Sequence, residues 1–252
     1  SGGLPSSTAV TVAAGATLDI AGNQCAIGSV NAAGTISLGT GGDVTTSAGM
    51  VLKGSGSLLG SGTIHGPVIL NGNGFGLPGQ SLVFTGAVTL NGSLLPGGGA
   101  NLVFAGDFVN NGVVQIPSGV TVSFGGNVVN NGVIRCTDGT ALQVSGTFEN
   151  NGTLDLLTGS QSLPAEFIDN GWIIGADRVT VHSVAIENGG IRVSIDSFSG
   201  HVYQLQRSST LEDGTWTDAG SARDGVTGVR LDFHHPLGAA GGREFFRIRV
   251  SP

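Results

Sequence analysis

Asn-Gly recurs at Asn71-Gly72, Asn91-Gly92, Asn111-Gly112, Asn131-Gly132 and Asn151-Gly152, each pair twenty residues after the last. Glycine fills the columns 66/86/106/126/146 and 79/99/119/139/159 at the same step. Apolar columns keep it too: Phe84, Phe104, Phe124 and Val144; Val88, Phe108, Val128 and Phe148; Leu94, Val114, Ile134 and Leu154. A fixed period of this length marks an architecture whose repeats bury their apolar faces on one another. Within each repeat the apolar residues alternate, as at Leu102 and Phe104, then Val114 and Ile116, which is the period of strands and not of helices. Twenty residues are too few for a strand, a crossover helix and two loops. The expected fold is therefore all-β, beginning with a parallel β-solenoid of three short strands per coil. Crossover chirality makes the expected wind right-handed. Residues 8–20, 26–38 and 50–59 carry the same alternation less regularly, giving about eight coils.

Each column then has an expected role. Inward residues stack phenylalanine on phenylalanine and aliphatic on aliphatic. Glycines supply the positive φ of tight corners, and asparagine tolerates the same conformation. Asn71, Asn91, Asn111, Asn131 and Asn151 are expected to form a structural ladder in sheltered positions, bonded amide to amide at a spacing of about 4.8 Å. Among them only Asn151-Gly152-Thr153 fits the N-glycosylation pattern.

Glycine makes up 46 of 252 residues, a content that could signal disorder or collagen. A chain with 39% hydrophobic and 11% charged residues is not a disordered one, and no strict G-X-Y period is present. The net charge of −7 argues against nucleic acid and against anionic membrane surfaces as partners. No apolar run approaches the roughly 18 residues of a spanning helix, so no membrane insertion is expected. Residue 1 is Ser and Met50 is the one methionine, so the chain reads as a processed or excised piece, with more coils expected before Ser1. Cys136 falls in the inward column of Pro96, Ile116 and Leu156. Cys25 lies more than five coils earlier, roughly 25 Å away at the inter-strand spacing. A disulfide needs Cα atoms within about 7 Å, so two free cysteines are expected.

Composition changes after Gly159. Residues 1–160 hold eight charged side chains and residues 161–252 hold nineteen. The boundary is placed at the junction around Pro164, giving a solenoid over 1–163 and a second domain over 164–252. Asn188-Gly189-Gly190 between two alternating runs signals a hairpin. Six or seven short strands in this span suggest a small antiparallel β-sandwich of immunoglobulin or fibronectin type. Trp172, Tyr203 and Trp216 are its candidate ligand or interface aromatics, with a place in the sandwich core as the plainer alternative.

Catalysis on such a solenoid would need carboxylates clustered with a base on one outer face. Asp107, Asp138, Glu149 and Asp155 do not pair in one column, and Arg135 with Asp155 reads as a cross-strand ion pair. His65 stands alone in a column of Thr85, Ala105, Gly125 and Ser145. His234-His235 point opposite ways on a strand. No His/Cys spacing suits zinc, and the tract 39–43 is a single glycine-rich copy. No catalytic, cofactor or metal site is expected, and the chain is read as a non-enzyme.

Residues 52–86, with Gly60, Gly62, Thr63, Ile64, Gly66, Val68, Asn71, Gly72, Pro78 and Gly79, resemble the repeats of autotransporter-type passenger regions of exported bacterial proteins. The later Asn-Asn-Gly repeats are similar, so the resemblance covers most of residues 8–160. Tyr203, Leu205, Gln206, Ser208, Trp216, Phe245, Phe246 and Arg247 match a C-terminal β-sandwich module of large exported bacterial surface proteins. No membrane-barrel pattern is read here, so the resemblance implies export without the autotransporter mechanism, and it carries over no catalytic residue. The expected role is a non-catalytic stalk or adhesive segment, capped by the sandwich, at the cell surface or outside the cell. The alternatives are a carbohydrate-binding unit of a polysaccharide-degrading system and, behind it, a β-helix lyase or hydrolase. An extracellular polysaccharide or a cell-surface partner is expected.

Overall fold

A computed structural model describes residues 5–72, 78–136, 142–156, 163–174, 179, 181–226, 229–238 and 243–251. The chain divides into two units, Ser1–Ile173 and Ile174–Pro252. Among the described residues every regular element is a strand.

The first unit is a parallel β-solenoid of about eight coils, with sheets of nine, eight and five strands among the described residues. One coil shows the plan: Asn101–Phe104 enters the eight-stranded sheet, Phe108–Asn110 the nine-stranded and Val113–Ile116 the five-stranded. Pairing follows the sequence period, with Phe104 opposite Phe124, Phe108 opposite Val128 and Val114 opposite Ile134. Strands this short bury every second side chain, so the columns become continuous rows inside the coil. Phe84, Phe104 and Phe124 stack at 5.1 and 5.3 Å, and Phe108 packs against the latter two at 4.6 and 4.9 Å. Each ring removed from water contributes about 1.5–3 kcal/mol. Each aromatic contact adds about 0.5–1.5 kcal/mol. Cys25 and Cys136 are both free, and Cys136 is buried directly opposite Ile116 as its column requires.

The corner glycines are of two kinds, and those of the Asn-Gly pairs have a different cause from the expected one. Positive φ occurs at Gly79, Gly99 and Gly119, but not at Gly92, Gly112, Gly132 or Gly152. At these four a Cβ would overlap the carbonyl oxygen of the glycine one coil earlier. The Asn-Gly corners thus need glycine because two backbones approach too closely for any side chain. The ladder asparagines are not left-handed either; Ala21 and Asn188 are the non-glycine residues with positive φ among those described.

The two ends of the solenoid depart from the twenty-residue step. Thr17 lies opposite Thr35 and Gln24 opposite Asp43, whereas Thr35 lies opposite Ser57 and Asp43 opposite Thr63. The long strand Thr35–Thr46 absorbs these unequal coils through register shifts between Ser37 and Gly42. At the other end Phe167–Asp169 pairs in parallel with Phe148–Asn150 at a nineteen-residue step, and Trp172–Ile174 joins the five-stranded sheet. The solenoid therefore runs to Ile173, past the boundary read at 163. One missing residue takes this coil out of the sequence columns.

The second unit is antiparallel. One sheet orders Val181–Glu187, Gly190–Ser197 and Val229–Pro236; in the other, Val202–Ser208 pairs with Thr217–Asp218, Arg223–Asp224 and Phe245–Ser251. The hairpin turns through Asn188 and Gly189, both at positive φ, as the Asn-Gly-Gly signal requires. Val193, Ile195, Tyr203, Leu205, Leu231, Phe233 and Val250 form a core of its own.

Candidate functional site

The five predicted asparagines line up. Asn91 Nδ2 donates to Asn71 Oδ1 at 2.8 Å, Asn111 to Asn91 and Asn131 to Asn111 at 2.9 Å, and Asn151 to Asn131 at 3.2 Å. Asn170 extends the row to Asn151 at 3.0 Å. The row is exposed, not sheltered, because the corner that brings the chains together is the outer edge of the coil.

A second ladder, unread in the sequence, runs inside. Asn110, Asn130 and Asn150 are fully buried. Asn110 Nδ2 donates to Asn130 Oδ1 at 2.7 Å, Asn130 to Asn150 at 2.8 Å, and Asn150 to Asp169 Oδ1 at 2.8 Å. The same Nδ2 groups reach the backbone oxygens of Val133, Thr153 and Trp172. Gly112 N–H donates to Asn110 Oδ1, so backbone groups fix which way the amides face. All the donors point toward the C-terminus. A carboxylate can only accept, and Asp169 ends the row while also receiving Gly171 N–H.

Titratable groups converge at one place on the outer face of the eight-stranded sheet. His65 Nε2 lies 3.3 Å from Asp43 Oδ2, and Nδ1 lies 2.9 Å from Thr85 Oγ1. The carboxylate needs a donor, so in the neutral ring Nε2 carries the proton and Nδ1 accepts from the Thr85 hydroxyl. Asp43, His65 and Thr85 belong to three successive coils. His65 is thus not solitary as its column suggested, because Asp43 reaches it diagonally from the residue opposite Thr63. Beside the triplet is an open groove of about 600 Å³, lined by Gln24, Cys25, Ala26, Asp43, Thr45 and His65. The order carboxylate, imidazole, hydroxyl is shared with activated nucleophiles, and here its hydrogen bonds tie three successive coils together. With both ionic partners about one-third exposed, the pair itself contributes little to stability.

The expected ion pair is present, with Arg135 Nε 2.8 Å from Asp155 Oδ2 and the carboxylate buried. Next to it, burial and then the Asp155 charge push the Cys136 thiol up to about 12. It remains a thiol at neutral pH and is a packing residue, not a nucleophile. Asp107 and Glu149 lie on other columns, Asp107 accepting from Asn127 N–H. Asp138 and the carboxyl-proximal glycine column at 139 and 159 fall outside the described residues.

The three candidate aromatics separate. Tyr203 is in the core of the second unit, where its hydroxyl accepts from Phe198 N–H at 3.1 Å, and it is withdrawn from ligands. Trp216 is half-buried, and the Arg247 guanidinium covers its ring at 4.4 Å. Trp172 is about half exposed on the last strand of the five-stranded sheet. Comparison with protein-family models, with curated proteins and with solved structures gave no match.

Proposed function

We propose that the chain is a non-catalytic structural or adhesive segment of an exported bacterial surface protein, a stiff stalk with a C-terminal β-sandwich module. The observation that carries this reading is the unbroken stacking. Described coils are joined by backbone pairing and apolar rows, to which an outer amide ladder is added from Asn71 to Asn170 and an inner one from Asn110 to Asp169. Such repetition gives length and resistance to local opening, since no coil can fray without breaking several rows at once. The passenger-type repeat pattern around Gly62-Thr63-Ile64 supports export. Antibodies raised against this chain should label intact cells of the source organism without permeabilisation. Label seen only after permeabilisation would overturn the reading.

A second reading, carbohydrate binding, is favoured by the groove beside His65. Asp43, Gln24 and Thr45 present a carboxylate, an amide and a hydroxyl on one wall, which suits the vicinal hydroxyls of a sugar. It requires polysaccharide pull-down that is lost in Asp43→Asn with the fold retained.

A further inference from the structure

We propose that the open edge of the second unit is a binding cleft for a small amphipathic ligand, an apolar body carrying a primary ammonium head. Register identifies the place. Val181 lies opposite Ile195, Val184 opposite Val193 and Ile186 opposite Ile191. Residues opposite one another share a sheet face, and Val193 and Ile195 are core residues. Val181, Val184 and Ile186 therefore face the core side, yet they are 49%, 59% and 78% exposed. They are left exposed along the edge strand, where Val181 and Val184 line an open space between the two sheets of this unit. The register shift between Val181 and Ser183 falls at the mouth, as bulges do where a strand end is re-aimed.

The space left between the sheets is a cavity of about 340 Å³, with Val181, Val184 and Val193 on one wall and Leu205, Phe246 and Ile248 on the other. This is within the size of small-molecule sites, and the lining is that of an apolar body. Two charged residues line it, Glu244 and Arg247, and the Arg247 guanidinium is already engaged, donating to Gln206 Oε1 and covering the Trp216 ring, which leaves Glu244 as the charge offered to a ligand. Glu244 Oε1 accepts from Arg207 Nη1 at 3.2 Å, while Oε2 is buried without a hydrogen-bond partner among the described residues. A carboxylate oxygen cut off from water and lacking a donor is costly, and an entering ammonium would supply the donor and the opposite charge. An anionic head would meet that oxygen with like charge.

Methyl-resolved NMR of the full chain tests this with benzylamine, benzyl alcohol and benzoate as probes. Benzylamine should give saturable shifts at Val181, Val184, Val193, Leu205 and Ile248. The alcohol should bind about tenfold more weakly and benzoate not measurably, since the charge-assisted bond is the discriminating contact. Glu244→Gln should erase the preference of amine over alcohol. Val184→Trp, at an exposed position, should occlude the mouth and abolish all binding with the rest of the spectrum unchanged. Equal binding of amine and benzoate, shifts insensitive to both variants, or no saturable shift would each overturn the proposal. So would shifts at these methyls that follow protein concentration without probe, which would mean that a second copy covers the face.

Discussion

At the scale of single residues, the buried asparagines carry the most consequence per side chain. Asn130 accepts from Asn110 and donates to Asn150, both bonds buried, and donates also to the part-buried Thr153 carbonyl. Replacing it with alanine strands the Thr153 oxygen and one lone pair of Asn150. The cost should be about 2–3 kcal/mol, because buried polar groups lose their partners outright. Asn111→Ala removes an equal number of ladder bonds at an exposed corner, where water replaces them, and should cost about 0.5–1 kcal/mol. Denaturant unfolding followed by Trp172 fluorescence in a Trp216→Phe background reads the first unit alone. Equal losses for the two variants would contradict the assignment of one ladder to the interior. The outer row was legible because Asn-Gly repeats without interruption. The inner row was not, because its column begins as Leu70 and Leu90 and changes to asparagine only at Asn110. The alternation with Phe108 already placed Asn110 on the inward side, and that was the signal available.

At the scale of the coil, glycine acts in two ways that composition cannot separate. Gly112 sits where the backbone of Gly92 leaves no room for a Cβ, whereas Gly119 has open space and a φ of +77°. Gly119→Ala should cost only the left-handed strain, about 1–2 kcal/mol. Gly112→Ala must push adjacent coils apart and should unfold several of them, seen as lost amide protection in hydrogen exchange over the flanking coils. A mild effect at Gly112 comparable with that at Gly119 would contradict the close-approach explanation. Legibility followed coil length. From Phe84 to Asn151 the coils are equal, so column and register coincide. The contact of Asp43 with His65 was hidden because it runs diagonally, two residues off the regular column, and the nineteen-residue step to Phe167 hid the last coil. Pro164 and the rise in charge then drew the boundary too early.

At the scale of the whole molecule, the first unit spans on the order of 40 Å along its axis at the inter-strand spacing for about eight coils. Its cohesion is one-dimensional, each coil answering only to its neighbours. The second unit is closed by its own core and was read correctly as antiparallel from its hairpin signal. Its exposed apolar edge at Val181, Val184 and Ile186 depends on how the two sheets face each other, which alternation alone does not reveal. The central claim is that residues twenty apart lie directly over one another. Cysteine pairs at the outer corner test it, since neighbouring coils place Cα atoms about 4.8 Å apart, within disulfide reach, and second neighbours about 10 Å apart, outside it. In a Cys25→Ser background, Asn91→Cys with Asn111→Cys should oxidise to completion without loss of stability, while Asn91→Cys with Asn131→Cys should stay reduced. Equal bridging of the two pairs, or bridging of the distant pair alone, would contradict the stacked solenoid.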